Sequence, residues 1–230
     1  MCGRYTLSSP IEVVSELFDL VPGPGGQALP PLLPRYNLAP TQEAAVVRVV
    51  APGAPRSLDL LRWGLIPYWA KEAAIGNRMI NARAESVAEK PAFRFSFRKK
   101  RCLVVADGFY EWKREGREKQ PCLIRRHDRH PFAFAGLWSS WRDPEGNALD
   151  TFTILTTDAN DFIRPLHDRM PVILGRDSYD LWLDPAVEDP ARLMPLLAPA
   201  PSEGFETVRV SKAVNSPAHD AADCIEPLAG

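Results

Sequence analysis

Short apolar runs separated by Pro- and Gly-rich segments dominate the hydrophobic pattern of this chain. Residues 44–50 and 58–63 are rich in β-branched and aliphatic side chains, and residues 52–55 between them contain two prolines and a glycine. Apolar runs of this length on either side of a turn predict a strand pair. Residues 121–126 and 131–138, joined by a polar connection, are predicted to form another pair. Further strands are predicted at residues 5–7, 102–106, 109–113, 151–157, 172–174 and 207–210.

Helical periodicity is confined to short stretches of the chain. In the first of them, Ser9 is expected as the N-cap, Pro10 as the first helical residue and Glu12 as the partner that completes a capping box. The apolar face of this predicted helix consists of Ile11, Val14, Leu17, Phe18 and Val21. Other short helices are predicted at residues 86–91, 177–183 and 190–197.

Proline content and length together indicate the fold class. The 23 prolines favour many short elements and ordered loops over long helices. The 230 residues accommodate one large domain, and no internal repeat or linker divides them. We therefore predict a single α+β domain with a curved, barrel-like, mostly antiparallel β-sheet core and peripheral short helices. The domain is expected to span residues 1–220, with residues 221–230 as a polar C-terminal tail and the Gly/Pro-rich residues 22–34 as a loop.

The net charge and its distribution limit how this protein can bind nucleic acid. The formal net charge of -1 excludes a generally basic protein, so any binding of nucleic acid must use a local patch. The strongest basic cluster, at residues 93–101, is interleaved with phenylalanines. It is either a solvated face, as most basic runs are, or a phosphate-binding surface. The chain shows neither a signal-peptide pattern nor an apolar run long enough to span a membrane, so we expect a cytoplasmic protein with no membrane partner.

Cysteine and histidine positions give no metal-site pattern. His127 and His130 are of ligand type, but no third ligand lies near them in the sequence. Neither a CxxC pair nor a zinc-like spacing with histidine involves the four cysteines, which are Cys2, Cys102, Cys122 and Cys224. We therefore predict reduced cysteines and neither a metal nor any other cofactor.

Three positions carry candidate chemistry. Removal of Met1 would give Cys2 a thiol and a free α-amine, and such a 1,2-aminothiol can close a thiazolidine ring on an aldehyde. Glu111 lies among aromatic residues in a predicted strand. Either burial raises its pKa and equips it for acid–base work, or it is an edge-strand residue that faces water. His167 lies in a loop between prolines. It is either one of the catalytic groups that concentrate in loops held by a rigid scaffold or an incidental loop histidine.

Two further segments could form a binding surface. Asn81, Arg83 and Glu85 alternate, so an extended backbone would point all three side chains the same way. Residues 63–69 contain two tryptophans and a tyrosine, which are either part of the core or a platform on which bases stack.

Taken together, these segments resemble the SOS response-associated peptidase (SRAP) family. The resemblance runs from the first residue to about Pro217, and its motifs are specific as a set rather than singly. The motifs, in the family's order, are Met1-Cys2-Gly3-Arg4, Arg35-Tyr36-Asn37 with Ala39-Pro40-Thr41, Trp63-Gly64-Leu65-Ile66-Pro67, Asn81-Ala82-Arg83-Ala84-Glu85, Gly108-Phe109-Tyr110-Glu111-Trp112 and His167-Asp168-Arg169-Met170-Pro171.

The resemblance implies a protein that binds single-stranded DNA and captures abasic sites, through a thiazolidine between processed Cys2 and the sugar aldehyde. It implies that the active-site residues are Cys2, Asn81, Glu111 and His167. The expected DNA-contacting residues are Arg4, Asn37, Pro40, Trp69, Arg83, Trp112, Thr156 and Arg169. The chemistry agrees, because guanidinium groups suit phosphates and tryptophans stack on bases. We also expect a monomer that associates with the nucleoid when it is bound to DNA.

Two other functions stay open at this point. The first is a peptidase or amidase in which Cys2 is the nucleophile and its own α-amine is the base. The family is assigned peptidase and hydrolase activity and a possible lyase activity. The second is a non-catalytic module that binds single-stranded DNA and in which Cys2 is inert.

Overall fold

The structure of the protein, a computed structural model, describes residues 2–22 and 28–228. The strands are β1 (Tyr5–Leu7), β2 (Arg35–Leu38), β3 (Glu43–Arg48), β4 (Ser57–Trp63), β5 (Asn81–Arg83), β6 (Arg101–Ala106), β7 (Gly108–Glu115), β8 (Glu118–Arg126), β9 (Phe132–Arg142), β10 (Ala148–Asp158), β11 (Arg169–Pro171), β12 (Ile173–Leu174) and β13 (Phe205–Arg209). The α-helices are α1 (Ile11–Leu17), α2 (Arg94–Lys99), α3 (Tyr179–Leu183) and α4 (Pro190–Leu193). Short 3-10 helices occupy Ala73–Arg78, Ala84–Ser86, Arg176–Ser178, Met194–Leu197, Lys212–Asn215 and Ala222–Ile225.

Five strands close into a barrel. β3 pairs with β4 and β6, β9 pairs with β6 and β10, and all these pairs are antiparallel. β10 returns to β4 in parallel and so completes the ring. The closed ring pairs each barrel strand on both sides, and its apolar interior forms the main core. The α+β fold with a barrel-like core is as the sequence predicted, and the predicted pair at residues 44–50 and 58–63 is confirmed as β3 and β4.

A second sheet, with strand order β13-β8-β7-β1-β2, is antiparallel throughout. Tyr5 of β1 lies opposite Phe109 of β7, so the first residues of the chain run beside β7. Tyr5 is fully buried, and its ring packs edge-on against Trp63 and Phe134 of the barrel. This packing joins the second sheet to the barrel close to Cys2.

The predicted pairing of residues 121–126 with residues 131–138 is wrong. β8 pairs with β7 and β13, whereas β9 pairs with β6, β10 and β12. Gly136 allows β9 to pack closely against β6, since a Cβ atom there would lie 2.8 Å from the Cys102 sulfur and from a methyl group of Val104. The polar connection between β8 and β9 therefore carries the chain from one sheet to the other instead of forming a hairpin.

Helix α1 also begins differently from the prediction. It starts at Ile11 with Pro10 as N-cap, and no described side chain caps it. The Ser9 hydroxyl donates instead to the Asp107 carboxylate at 2.7 Å, and the same carboxylate accepts the backbone N–H of Ser9 at 3.1 Å. Asp107 thus fixes the turn before α1, and the expected capping box does not form.

The last described residues pack onto the second sheet. Residues 221–228 were expected to be a tail, but they include the 3-10 helix Ala222–Ile225, and Cys224 is fully buried. Val210 forms an isolated β-bridge with Pro227. Of the predicted loop at residues 22–34, residues 23–27 lie outside the described part of the chain. No helix in the described ranges is long and apolar enough to cross a bilayer.

Candidate active site and nucleic-acid interface

Cys2 lies buried just before β1. Burial raises the pKa of its thiol well above the ordinary range, and the negative charge of Glu111 raises it further. The Cys2 thiol is therefore protonated at neutral pH, and its use as a nucleophile requires a base. The backbone carbonyl of Cys2 accepts a hydrogen bond from the Asn81 amide nitrogen at 2.8 Å.

Asn81 reaches Cys2 from β5, a short strand that is held in parallel register by β10, with Asn81 opposite Ile154. The Asn81 side-chain nitrogen donates to the Cys2 carbonyl, whereas the buried Oδ1 of Asn81 has no hydrogen-bond partner among the described residues. A buried acceptor without a partner is costly, so this oxygen is a ready site for a donor group on a ligand.

Glu111, on β7, is the third residue near Cys2. The Tyr110 N–H donates to the Arg4 carbonyl at 3.0 Å, which continues the pairing of β7 toward the start of the chain. The Glu111 side chain is buried, and burial raises its pKa to about 7. This confirms the predicted rise in pKa and excludes the alternative of an edge-strand glutamate facing water, because β7 is flanked by β1 and β8.

His167 lies half-buried in the turn that precedes β11. Burial lowers its pKa below the ordinary 6.5, so the neutral ring predominates at neutral pH. The Arg169 N–H donates to Nδ1 at 2.9 Å, and a carboxylate oxygen of Asp168 lies 2.8 Å from the same atom. A neutral ring accepts from the backbone at Nδ1, whereas a protonated ring can donate to Asp168. The Asp168 charge also raises the pKa of Glu111.

Arg83 and Arg4 offer guanidinium groups near this site in different ways. Arg83 ends β5 and is exposed, and its guanidinium makes no hydrogen bond, and no ion pair within 4 Å, with any described residue. Arg4 is half-buried and donates to Asn37 Oδ1 at 2.7 Å and to the Val214 carbonyl at 2.8 Å. Its guanidinium carbon lies 5.9 Å from the ring centre of Trp112. Arg83 is thus available to a phosphate, while Arg4 is held in place by the protein.

Arg169, expected to contact DNA, is largely occupied within the protein. Its guanidinium binds Glu85 at 2.6 and 3.0 Å, Asp158 at 2.7 Å and the Thr156 carbonyl at 2.7 Å. Glu85 adopts this position because the extended segment ends at Arg83 and a 3-10 helix, Ala84–Ser86, follows. The predicted alternation of residues 81, 83 and 85 on one face is therefore corrected. Nothing in the local sequence identified Glu85 and Asp158 as the counter-ions of Arg169.

Two other expected DNA contacts, Asn37 and Thr156, have fully buried side chains. The Asn37 amide nitrogen lies within hydrogen-bond distance of the carbonyls of Val214, Ser216 and His219. Thr156 is enclosed between β5 and β11. Neither side chain presents surface to solvent, which argues against a direct side-chain contact with DNA. Asn37 instead anchors the segment that holds Arg4.

The aromatic segment divides between core and surface. Trp63 is fully buried, whereas Trp69 keeps 50% of its surface exposed. Gly64, with φ of +126°, lets the segment pass close to the 3-10 helix Ala73–Arg78, since a Cβ atom there would lie 2.7 Å from the Gly76 carbonyl oxygen. Trp63 is therefore part of the core, and for Trp69 the interpretation as a stacking platform stays a prediction.

Trp112 and Pro40 are half-buried. The Trp112 indole N–H donates to Asn215 Oδ1 at 2.7 Å, so its ring is oriented beside Arg4. Both residues keep some surface that a ligand could touch.

The basic cluster at residues 93–101 does not form one phosphate-binding surface. Arg101 is buried and donates to the carbonyls of Phe97 and Trp182 at 2.7 and 2.5 Å. Lys99 pairs with Glu188, and the Lys100 nitrogen lies 4.4 Å from the ring centre of Trp138. The expectation drawn from this cluster is corrected, because several of its cations stabilise the fold.

Comparison with known proteins finds a family model, relatives and a solved structure that match most of this chain. A family model described as SOS response associated peptidase (SRAP) matches residues 1–217. The chain is 44% identical over 229 residues to "Abasic site processing protein YoqW" of Bacillus subtilis (strain 168), covering 98% of this chain and 99% of that protein. It is 33% identical over 225 residues to "Abasic site processing protein HMCES" of Gallus gallus, covering 85% and 66%. A solved structure of a protein from Bacteroides thetaiotaomicron matches with a TM-score of 0.85 at 26% identity, covering 99% of this chain and 100% of that one.

Proposed function

Because this chain belongs to the SOS response associated peptidase (SRAP) family, we propose that it binds single-stranded DNA and captures abasic sites covalently. Removal of Met1 leaves Cys2 with both a thiol and an α-amine. The amine adds to the ring-opened sugar aldehyde and loses water to give a Schiff base. The thiol then adds to the imine carbon, its proton passes to the nitrogen, and a thiazolidine closes. Relatives named as abasic site processing proteins support this assignment.

The observation that carries the proposal is the convergence of Cys2, Asn81 and Glu111. Asn81 binds the Cys2 carbonyl at 2.8 Å and so positions the residue that bears both nucleophiles. Glu111, with its pKa raised to about 7, exists in both protonation states near neutral pH. A group with that pKa is suited to accept and return protons in one reaction sequence.

Proton transfer defines the role of Glu111. The Cys2 thiol is protonated at neutral pH because it is buried. Ionised Glu111 takes protons from the attacking amine and thiol, and protonated Glu111 returns one to the departing hydroxyl as water leaves. Both directions are needed, because imine formation and ring closure move protons in opposite senses.

His167 is proposed to open the sugar. An abasic sugar is mostly a closed hemiacetal. Its opening removes the proton of the anomeric hydroxyl, breaks the bond between the anomeric carbon and the ring oxygen, and adds a proton to that oxygen. A neutral imidazole with a lowered pKa accepts the hydroxyl proton and returns a proton to the ring oxygen, so that it ends neutral, and Asp168 beside Nδ1 stabilises the imidazolium formed between the two transfers. The Oδ1 atom of Asn81, unpartnered among the described residues, can accept a hydrogen bond from a sugar hydroxyl.

DNA binding is proposed to rest on the backbone rather than on bases. Arg83 makes no ion pair within 4 Å with a described residue and is the strongest candidate for a phosphate contact. Trp69 is exposed and can stack on a base, and Trp112 lies beside Arg4. Arg169 reaches a phosphate only by exchanging a carboxylate partner, so its direct contribution is smaller. Contacts of this kind give little sequence preference.

The decisive experiment uses untagged protein whose amino terminus has been shown by mass spectrometry to begin at Cys2. Incubation with single-stranded DNA that carries one abasic site should give an adduct that survives denaturing electrophoresis. Cys2→Ala should abolish the adduct, and the matched variant Cys122→Ala should retain it. Absence of an adduct with the correctly processed protein refutes the proposal. An adduct that persists in Cys2→Ala indicates a lysine Schiff base instead.

Two further variants test the roles within the site. Residues fused ahead of Cys2 should block the adduct while DNA binding is retained, because the α-amine becomes an amide. His167→Ala should slow adduct formation on pre-bound DNA more than it weakens binding. Equal losses in rate and affinity would show that His167 acts in binding rather than in ring opening.

The peptidase in the family's description defines the second candidate function. It uses the same Cys2 thiol but requires an amide substrate and an acyl intermediate that water hydrolyses. A thioester intermediate trapped with peptide substrates, together with no adduct on abasic DNA, would favour it.

A further inference from the structure

His219, Asp223 and Cys224 form a mixed-donor cluster on the last described segment of the chain, separate from the Cys2 site. One imidazole nitrogen, one carboxylate oxygen and the Cys224 sulfur all lie within 4.8 Å of one another. We propose that these three side chains form a transition-metal site and that Zn²⁺ is the ion it fits. No other group of this kind occurs within residues 2–22 and 28–228.

The donor types select the class of metal. Zn²⁺ binds thiolate, imidazole and carboxylate together, whereas Ca²⁺ and Mg²⁺ take oxygen ligands. Tetrahedral zinc, with bonds of about 2.3 Å to sulfur and about 2.0 Å to nitrogen and oxygen, sets neighbouring donor atoms about 3.3–3.6 Å apart. His219 Nε2 lies 2.8 and 2.9 Å from the two Asp223 oxygens. Binding therefore requires the contact between His219 and Asp223 to widen slightly and the Cys224 sulfur to move closer to both.

The main chain around the ligands is fixed from both sides. The His219 carbonyl accepts from the Asn37 amide at 2.7 Å, and the Cys224 carbonyl accepts from the Tyr110 hydroxyl at 3.3 Å. Between them, Asp220 accepts the backbone N–H groups of β2 residues Tyr36 and Asn37 at 2.5 and 2.9 Å. The ligand backbone is thus held by β2 and β7, and a held backbone lowers the entropy lost on metal binding.

Exposure leaves room for the ion and for a fourth ligand. The side chains of His219 and Asp223 are 40% and 50% exposed, while Cys224 is buried beneath them. Three protein ligands with one open side leave a coordination position for water. On binding, the Cys224 thiol releases its proton to solvent, His219 binds as the neutral ring, and Asp223 binds as the carboxylate, so no redox partner is needed.

Metal binding here would stabilise the segment that holds Arg4. The Val214 carbonyl accepts from Arg4, and Asn215 accepts from the Trp112 indole. Both belong to the 3-10 helix Lys212–Asn215, only a few residues before His219. The alternative is a surface ion pair between His219 and Asp223 above an ordinary buried thiol, and that alternative binds no metal.

The test uses Co²⁺ as a spectroscopic probe for Zn²⁺ on the full, reduced, metal-free protein. Co²⁺ should bind with a stoichiometry of one per chain and give thiolate-to-cobalt charge-transfer absorption together with tetrahedral d–d bands. Added Zn²⁺ should remove both. Cys224→Ser should lose the charge-transfer band, and His219→Gln should weaken affinity at least about tenfold.

Controls separate this site from the amino terminus, because the thiol and amine of processed Cys2 are themselves a chelating pair. Cys2→Ala should keep the cobalt bands. The proposal is overturned if no thiolate band appears, or if the band is lost in Cys2→Ala and kept in Cys224→Ser. Since Cys224→Ser alters a buried position, His219→Gln at an exposed position provides an independent measurement. Zn²⁺ should raise the melting temperature of wild type but not of His219→Gln, and equal shifts overturn the proposal.

Discussion

Replacing Glu111 with glutamine removes the titratable group of the proposed site while keeping its shape. Burial raises the pKa of Glu111 from an ordinary 4.5 to about 7. Since a difference of one in pKa corresponds to about 1.4 kcal/mol, ionising Glu111 in the folded protein costs about 3 kcal/mol more than in the unfolded chain. Glutamine carries no such cost at any pH.

The sign of the pH dependence follows from that difference. Between about pH 4.5 and pH 7 the folded protein retains a proton on Glu111 that the unfolded chain releases. The stability that Glu111 contributes is therefore full below about pH 4.5 and is lost as the pH rises through about 7. The free energy of unfolding of Glu111→Gln minus that of wild type should increase by about 3 kcal/mol from about pH 4 to about pH 8.

Urea unfolding followed by tryptophan fluorescence measures this difference across the pH range. Glu16→Gln, at an exposed position of α1, is the matched control for the loss of one carboxylate. The adduct-forming rate of wild type should rise with pH through about 7, and that of Glu111→Gln should be low and flat. Parallel stability curves for wild type and Glu111→Gln would refute a buried, titrating Glu111.

Three other substitutions have defined outcomes. Arg83→Ala should lower the affinity for single-stranded DNA and reduce the slope of log affinity against log salt by about 0.7, measured by fluorescence anisotropy, and an unchanged slope would show that Arg83 touches no phosphate. Asn37→Ala should destabilise the protein by about 2–3 kcal/mol in chemical denaturation, because buried carbonyls lose their donor, and a loss below about 0.5 kcal/mol would contradict its anchoring role. Arg169→Met should lower the free energy of unfolding by about 1–2 kcal/mol, because Glu85 and Asp158 lose the guanidinium that pairs with them. A gain in stability would show that these ion pairs contribute nothing.

Local pattern in the sequence was enough for several elements. The run at residues 44–50, the Pro/Gly connection and the run at residues 58–63 predicted β3 and β4 correctly, since neighbouring antiparallel strands pair through information that lies close together in the chain. The aromatic neighbours of Glu111 made burial with a raised pKa one of two alternatives, and the structure selects it. Six short motifs indicated the family, and the match of the family model to residues 1–217 confirms it.

Only the tertiary structure shows which strands and side chains that are distant in the sequence contact one another. Consecutive strands β8 and β9 favour a hairpin by proximity, but closure of the barrel pairs β9 with β6 and β10 and removes exposed edges. The family resemblance implied that Arg169 contacts DNA, and only folding brings Glu85 against it.

The position of Cys2 beside Asn81 and Glu111 depends on β1, β5 and β7 meeting where the second sheet joins the barrel. Hydrophobic periodicity specifies which face of an element is buried and does not specify what covers it. The sequence alone therefore determined the elements, the chemistry-bearing residues and the family. Packing determined which of those residues meet, which are neutralised and which are left open to a ligand.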